Sequence, residues 1–161
     1  MKTTRIKKVL IAMDYDPTSK KIAEAGFKMA KAMAAEISLL HVGIDLAMYS
    51  LIYPTMGAWQ IDEWNVLDES NVMTEYDIAN KDSHNFLQKV KRHLGDTAIQ
   101  TMLREGDPAQ KILETAQEIK ADCIVMGSHS KKWLENIIMG SATEEVLRKT
   151  TIPMYLVPIK K

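Results

Sequence analysis

Asp14 stands directly after the apolar run Val9-Leu10-Ile11-Ala12-Met13, and Gly127 directly after Ile124-Val125-Met126. From Gly127 the chain reads Gly-Ser-His-Ser, then nine residues, then Gly140-Ser141. A glycine after a strand lets a backbone approach a ligand closely. A Gly-Ser pair that opens a helix offers unpaired N–H groups and the positive end of the helix dipole. That is a site for an anion, and it suits phosphate. A carboxylate at a neighbouring strand end can accept hydrogen bonds from ribose hydroxyls. Together these features read as a nucleotide site that binds without any catalytic residue.

Each feature also has a plainer local use. Asp14 with Asp16 and Pro17 can cap a turn, and Gly140-Ser141 can be only a helix cap. Ser128-His129-Ser130 suggests a nucleophile beside a base. Neighbours in sequence rarely reach a working geometry, however, and no orienting acid is evident, so hydrolysis is disfavoured. Asp14 and Asp16 form the acidic pair of a phospho-accepting receiver domain. Such a domain needs an acceptor Asp after its third strand, and Asp107 before Pro108 is better explained as a helix cap. The four histidines and Cys123 lack metal-ligand spacing. No Gly-Lys-Ser/Thr motif supports a P-loop kinase. His41, inside an apolar run, reads as a satisfied core residue, and Cys123 as a small buried hydrophobe.

The elements that must hold these residues follow from the apolar period. Val9–Met13 is a continuous run of strand length, as in a strand buried on both faces. Ile22, Ala25, Met29 and Met33 recur at helical spacing with lysines between them. Ile37–Val42 is a second strand-like run. The segment 44–65 has no clean period and is read as a lid or interface excursion. Val72 to Leu94 carries a long helical stripe that Gly95-Asp96 stops. Thr97–Glu105 alternates as a strand. Asp107-Pro108 with Gln110 has the form of a capping box for a helix running to Lys120. Asp122–Gly127 is the fourth strand, Ser141–Lys149 a helix, and Ile152–Val157 a last strand whose flanking prolines favour a sheet edge. Strands alternating with helices imply a doubly wound α/β domain with a parallel sheet, here one domain over residues 1–161.

Composition sets the outer bounds. The 161 residues carry 21 Lys+Arg against 21 Asp+Glu, which argues against a dedicated nucleic-acid binder. With one cysteine, no disulfide forms within the chain, consistent with a reducing, cytoplasmic setting. The longest apolar run, Val9–Met13, is far too short to span a membrane.

At the level of motif, the chain resembles the universal stress protein superfamily. That family carries Gly-x2-Gly-x9-Gly-(Ser/Thr) after its fourth strand and an Asp at the end of its first. Gly127 to Ser141 follows this spacing with Ser130 at the second glycine position. Lys8–Asp14, Gly106-Asp107-Pro108 and Ile152–Pro158 are also similar to the family's first strand, third-helix entry and last strand. The resemblance implies an open five-stranded parallel sheet of order 3-2-1-4-5, of the kind found in adenine nucleotide alpha hydrolases. It implies a homodimer through the C-terminal edge strand and, for one branch, ATP binding, with Mg²⁺ as the accompanying ion. By position, Asp14 would face the ribose or adenine and Val42 would contact adenine through its backbone. Gly127 would pack on the ribose, and Met126 before it would belong to the same binding site. Ser130, Gly140, Ser141 and Ala142 would surround the phosphates. The function implied is a stress-response regulator with little or no turnover and an unidentified protein partner. A nucleotide-free interaction module of the same fold is the alternative.

Overall fold

The computed structural model describes residues 5–14, 18–43, 83–128 and 141–159. In chain order these form β1 (Lys8–Ala12), α1 (Ser19–Ala32), β2 (Glu36–Gly43) and a helical stretch over residues 83–94, here α2. There follow β3 (Gln100–Glu105), α3 (Pro108–Glu118), β4 (Cys123–Gly127), α4 (Ser141–Lys149) and β5 (Met154–Val157). The strands make one sheet of order β3-β2-β1-β4-β5, and every neighbouring pair is parallel. The expected order is therefore the observed one. The segment 44–65 and the first part of the Val72–Leu94 stripe lie outside the described residues.

The sheet is buried on both faces, which is why its inner strands read as unbroken apolar runs. Val9, Ile11, Leu39 and Val125 face one way and pack with Ile22 and Ala23 of α1 and Leu87 and Val90 of α2. Leu10, Leu40, Ile124 and Met126 face the other way, onto Ile112 and Ala116 of α3 and Val146 of α4. α1 lies close to the sheet at Gly26, where an added Cβ would stand 2.8 Å from Ile11 Cδ1 and 3.1 Å from Val125 Cγ1. At the opposite end of the strands, Asp122 ties β1 to β4. Its Oδ2 accepts the amides of Lys7 and Lys8 at 2.8 and 3.0 Å.

Element boundaries show where local hydrogen bonds beat hydrophobic pattern. The third strand begins at Gln100, not Thr97, because residues 97–98 turn: Asp96 Oδ1 accepts the Ala98 amide at 2.9 Å. The same carboxyl pairs with Lys31, and those two bonds hold it below the usual carboxylate range. The last strand begins at Met154 because Thr150 Oγ1 takes the Ile152 amide at 2.9 Å in a side-chain turn. α1 and α3 each end in a left-handed residue, Ala34 (φ 53°) and Lys120 (φ 55°). In both cases the next amide reaches back to an orphan carbonyl, Ala35 to Ala30 at 2.9 Å and Ala121 to Ala116 at 2.8 Å.

The start of α3 is half of the expected capping box. Asp107 Oδ1 accepts the Gln110 amide at 2.8 Å, but the Gln110 side chain turns forward to Glu114 at 2.7 Å. Asp107→Ala should cost about 1 kcal/mol, as losses of N-caps generally do. A urea melt should show a lower midpoint with an unchanged slope.

Candidate functional site

The ends of β1, β2 and β4 open onto one cleft, walled by α3 and α4 and reached from the other face by Ile22 of α1. β1 supplies Ala12, with Met13 and Asp14 just after it, β2 supplies Leu40 and Val42, and β4 supplies Met126 and Gly127. Pro108 and Ile112 of α3 form one wall, and Ala142 and Thr143 of α4 the other. β1 is the strand from which the sheet grows in both directions, so this is the topological switch point, where open α/β sheets bind ligands. The enclosed volume is about 40 Å³. Sites that bury a small ligand usually enclose roughly 300–1,000 Å³, so these residues make the floor against which a ligand would lie.

Five of the residues singled out from sequence line this cleft together: Asp14, Val42, Met126, Gly127 and Ala142. Ser141 opens α4 beside it as an exposed residue. Ser130 and Gly140 lie outside the described residues. Among the described residues the first-turn amides of α4 have no helical partners, and the positive end of its dipole faces the cleft rim.

Gly127 is small for a visible reason. A Cβ there would stand 2.6 Å from Ile22 Cδ1, 3.2 Å from Ile22 Cγ1 and 3.5 Å from Ile159 Cγ1. Both isoleucines are buried, so the strand end is fitted between them without a side chain.

Three side chains that the motif does not include fasten the strand ends. Thr143 Oγ1 donates to the Gly127 carbonyl at 2.9 Å and joins α4 to β4. Ser19 Oγ donates to the Asp14 carbonyl and ties the start of α1 to the end of β1. His41 Nδ1 lies 2.9 Å from the Met13 carbonyl, and its ring meets Phe86 edge to face at 5.9 Å. A carbonyl can only accept, so the Nδ1 nitrogen carries the proton. All three fastening side chains are buried, Ser19 to 1% exposure and Thr143 to 5%. Their signal in sequence was a polar residue on an otherwise apolar stripe.

Other candidates have structural uses. Ser128 Oγ accepts the Ile159 amide at 3.1 Å, which anchors the segment after β5. Cys123 is buried in the sheet, and that burial pushes its thiol pKa up, away from the reactive thiolate. His93 pairs with Glu24 at 2.7 Å on the surface. Among the described residues, no group of three or more His, Cys, Asp or Glu gathers as metal ligands. Among them, too, no helix is long and apolar enough to cross a membrane.

Comparison with known proteins agrees with this geometry. Residues 5–158 match the model of the universal stress protein family. Universal stress protein MJ0577 of Methanocaldococcus jannaschii is 31% identical over 166 residues, covering 96% of each chain. A solved structure of MJ0577 superposes with a TM-score of 0.71 over 98% of this chain and 99% of that one, at 27% identity. A universal stress protein of Archaeoglobus fulgidus, solved in complex with dAMP, shares the fold. Its TM-score is 0.61 at 15% identity, over 94% of this chain and 98% of that one. A universal stress protein solved in complex with cAMP has a TM-score of 0.65 at 17% identity, over 96% and 98% of the two chains.

Proposed function

The chain belongs to the universal stress protein family, and we propose that it binds ATP at the C-terminal edge of its sheet as a stress-response regulator with little or no turnover. The observation that carries this reading is the convergence of Asp14, Val42, Gly127 and the start of α4 on one cleft at the switch point. Asp14 would accept the ribose hydroxyls, and the backbone of Val42 would meet the adenine edge. The side-chain-free surface of Gly127 would lie against the sugar. Ser130, Gly140, Ser141 and Ala142 would enclose the phosphates, with Mg²⁺ brought in by the nucleotide itself. The dAMP and cAMP complexes of relatives with this fold support an adenine nucleotide as the ligand class.

Two further parts belong to the same reading. The chain acts as one domain in the cytoplasm, and it pairs with a second copy through β5. Among the described residues β5 ends the sheet and has one edge without a strand partner, and it carries the exposed Tyr155. An unpaired edge with an exposed aromatic residue is a ready surface for strand pairing. Beside it, Lys21, Glu24 and Lys28 of α1 line an open groove with Tyr155. An unidentified protein partner would then read the nucleotide state of the dimer.

The test is thermal unfolding with and without nucleotide. A ligand of the folded state at a hundred times its Kd adds about 2.7 kcal/mol. Millimolar ATP should therefore raise Tm by several degrees, and no shift would overturn the reading in favour of a nucleotide-free module. Asp14→Asn keeps the shape and removes the charged acceptor. Hydrogen bonds to charged groups contribute about 1.5–3 kcal/mol, so ATP affinity should fall at least about tenfold. Titration calorimetry measures that fall directly.

A further inference from the structure

The ladder between β1 and β2 stops one bond early, and the residue that stops it is His41. Pairing runs in register to Ala12↔Leu40, and the Met13 amide still donates to the Leu40 carbonyl at 2.9 Å. In a parallel ladder the next bond would run from the Val42 amide to the Met13 carbonyl. That carbonyl instead takes the imidazole N–H of His41 at 2.9 Å. Backbone groups alternate sides along a strand, which fixes where those of Val42 point. Gly43 turns its carbonyl to β3, where it accepts the Gly106 amide at 3.2 Å, and Leu40 turns to β1. Val42 therefore faces the β1 side, beyond the place where β1 has ended, and that space is the cleft.

We propose that His41 is a positioning residue: its imidazole replaces the Val42 amide at the Met13 carbonyl and so frees the N–H of Val42, beside the C=O that faces the same way, to read the edge of a purine base. The paired donor and acceptor match a base edge with an acceptor beside an amino group, which is the edge of adenine. They mismatch the edge of hypoxanthine or guanine, where a protonated nitrogen stands beside a carbonyl. His41 is buried and braced by Phe86, so the ring holds one orientation. The purine part of this inference rests on the nucleotide reading given above, whereas the interrupted ladder stands on the geometry alone.

The two parts are tested separately. In the ligand-free wild-type protein, hydrogen exchange read by NMR should show a protected Leu40 amide and a fast-exchanging Val42 amide. A Val42 amide as protected as Leu40 overturns the proposal, whatever the protein binds. The second arm compares ATP with ITP, its hypoxanthine counterpart, by calorimetry. Wild type should prefer ATP by about tenfold, the worth of one hydrogen bond. His41→Leu should bring the ratio near one and protect the Val42 amide. His41→Asn, which puts an N–H at the same δ position, should restore both. A purely structural histidine would lower stability in both variants and leave the ATP/ITP ratio unchanged, which also overturns the proposal. Should His41→Leu fail to fold, His41→Asn and the wild-type exchange data carry the test. Absence of any nucleotide binding, with the Val42 amide still open, refutes the proposed function and with it the purine-reading part, while the interrupted ladder stands.

Discussion

Gly127→Val is expected to abolish stabilisation by ATP and to lower the stability of the free protein by about 1–3 kcal/mol, the usual cost of overpacking a filled site. The first carbon of the new side chain would already stand 2.6 Å from Ile22 Cδ1. Alanine could be accommodated, because that atom is the far end of a side chain that can rotate. Valine cannot, because its second branch meets either Ile22 again or Ile159, and both are buried at 5% exposure. Ile22 also lines the cleft, so the readiest relief moves it into the space a sugar would occupy. Chemical denaturation gives the stability change, and melting with and without millimolar ATP gives the loss of binding. A valine variant that still responds to ATP would show that the ligand does not rest on this strand end.

Ile11→Ala should give the larger loss of stability, about 2–5 kcal/mol. Ile11 is fully buried and sits in the central strand, opposite Leu39 on one side and Val125 on the other. Its side chain fills the close approach of α1 at Gly26. Removing it leaves a cavity between helix and sheet that neither rigid neighbour can close. Domains of this size unfold with about 5–15 kcal/mol in total, so the loss is a large share. The denaturant midpoint should fall sharply with an unchanged slope. A loss below about 1 kcal/mol would mean that α1 settles onto the sheet and refills the space.

The two variants bear on how much a linear reading can recover. The strands, the helix faces and the cleft's position were legible because a parallel sheet buried on both faces imposes continuous apolar runs, and the C-terminal ends of those runs mark the cleft; the strand order came from the family resemblance. Asp14 and Gly127 are strand-end residues, so their place followed from the same pattern, whereas Val42 was singled out by the family resemblance. The residues that fasten those ends were harder to see. Ser19, His41 and Thr143 act through single hydrogen bonds to carbonyls 5, 28 and 16 residues away. No local pattern encodes a bond of that range. The left-handed caps at Ala34 and Lys120 were hidden for a related reason. A left-handed cap usually announces itself with glycine, and here a non-glycine residue takes it, closed by the amide that follows.

The place of β1 in the middle of the sheet also governs how the chain matures during synthesis. β1 is made first, yet its second edge pairs with β4, and the Lys8 amide waits for Asp122, 114 residues later. At about 5–20 residues per second, the ribosome needs roughly 6–23 s to deliver that partner. Through that interval Val9–Met13 is an apolar strand with one hydrogen-bonding edge open, even if β2 has already docked. This strand, rather than any surface of the finished protein, is where a chaperone would first be needed. Slowing translation before Cys123 should raise aggregation of the nascent chain more than slowing it afterwards.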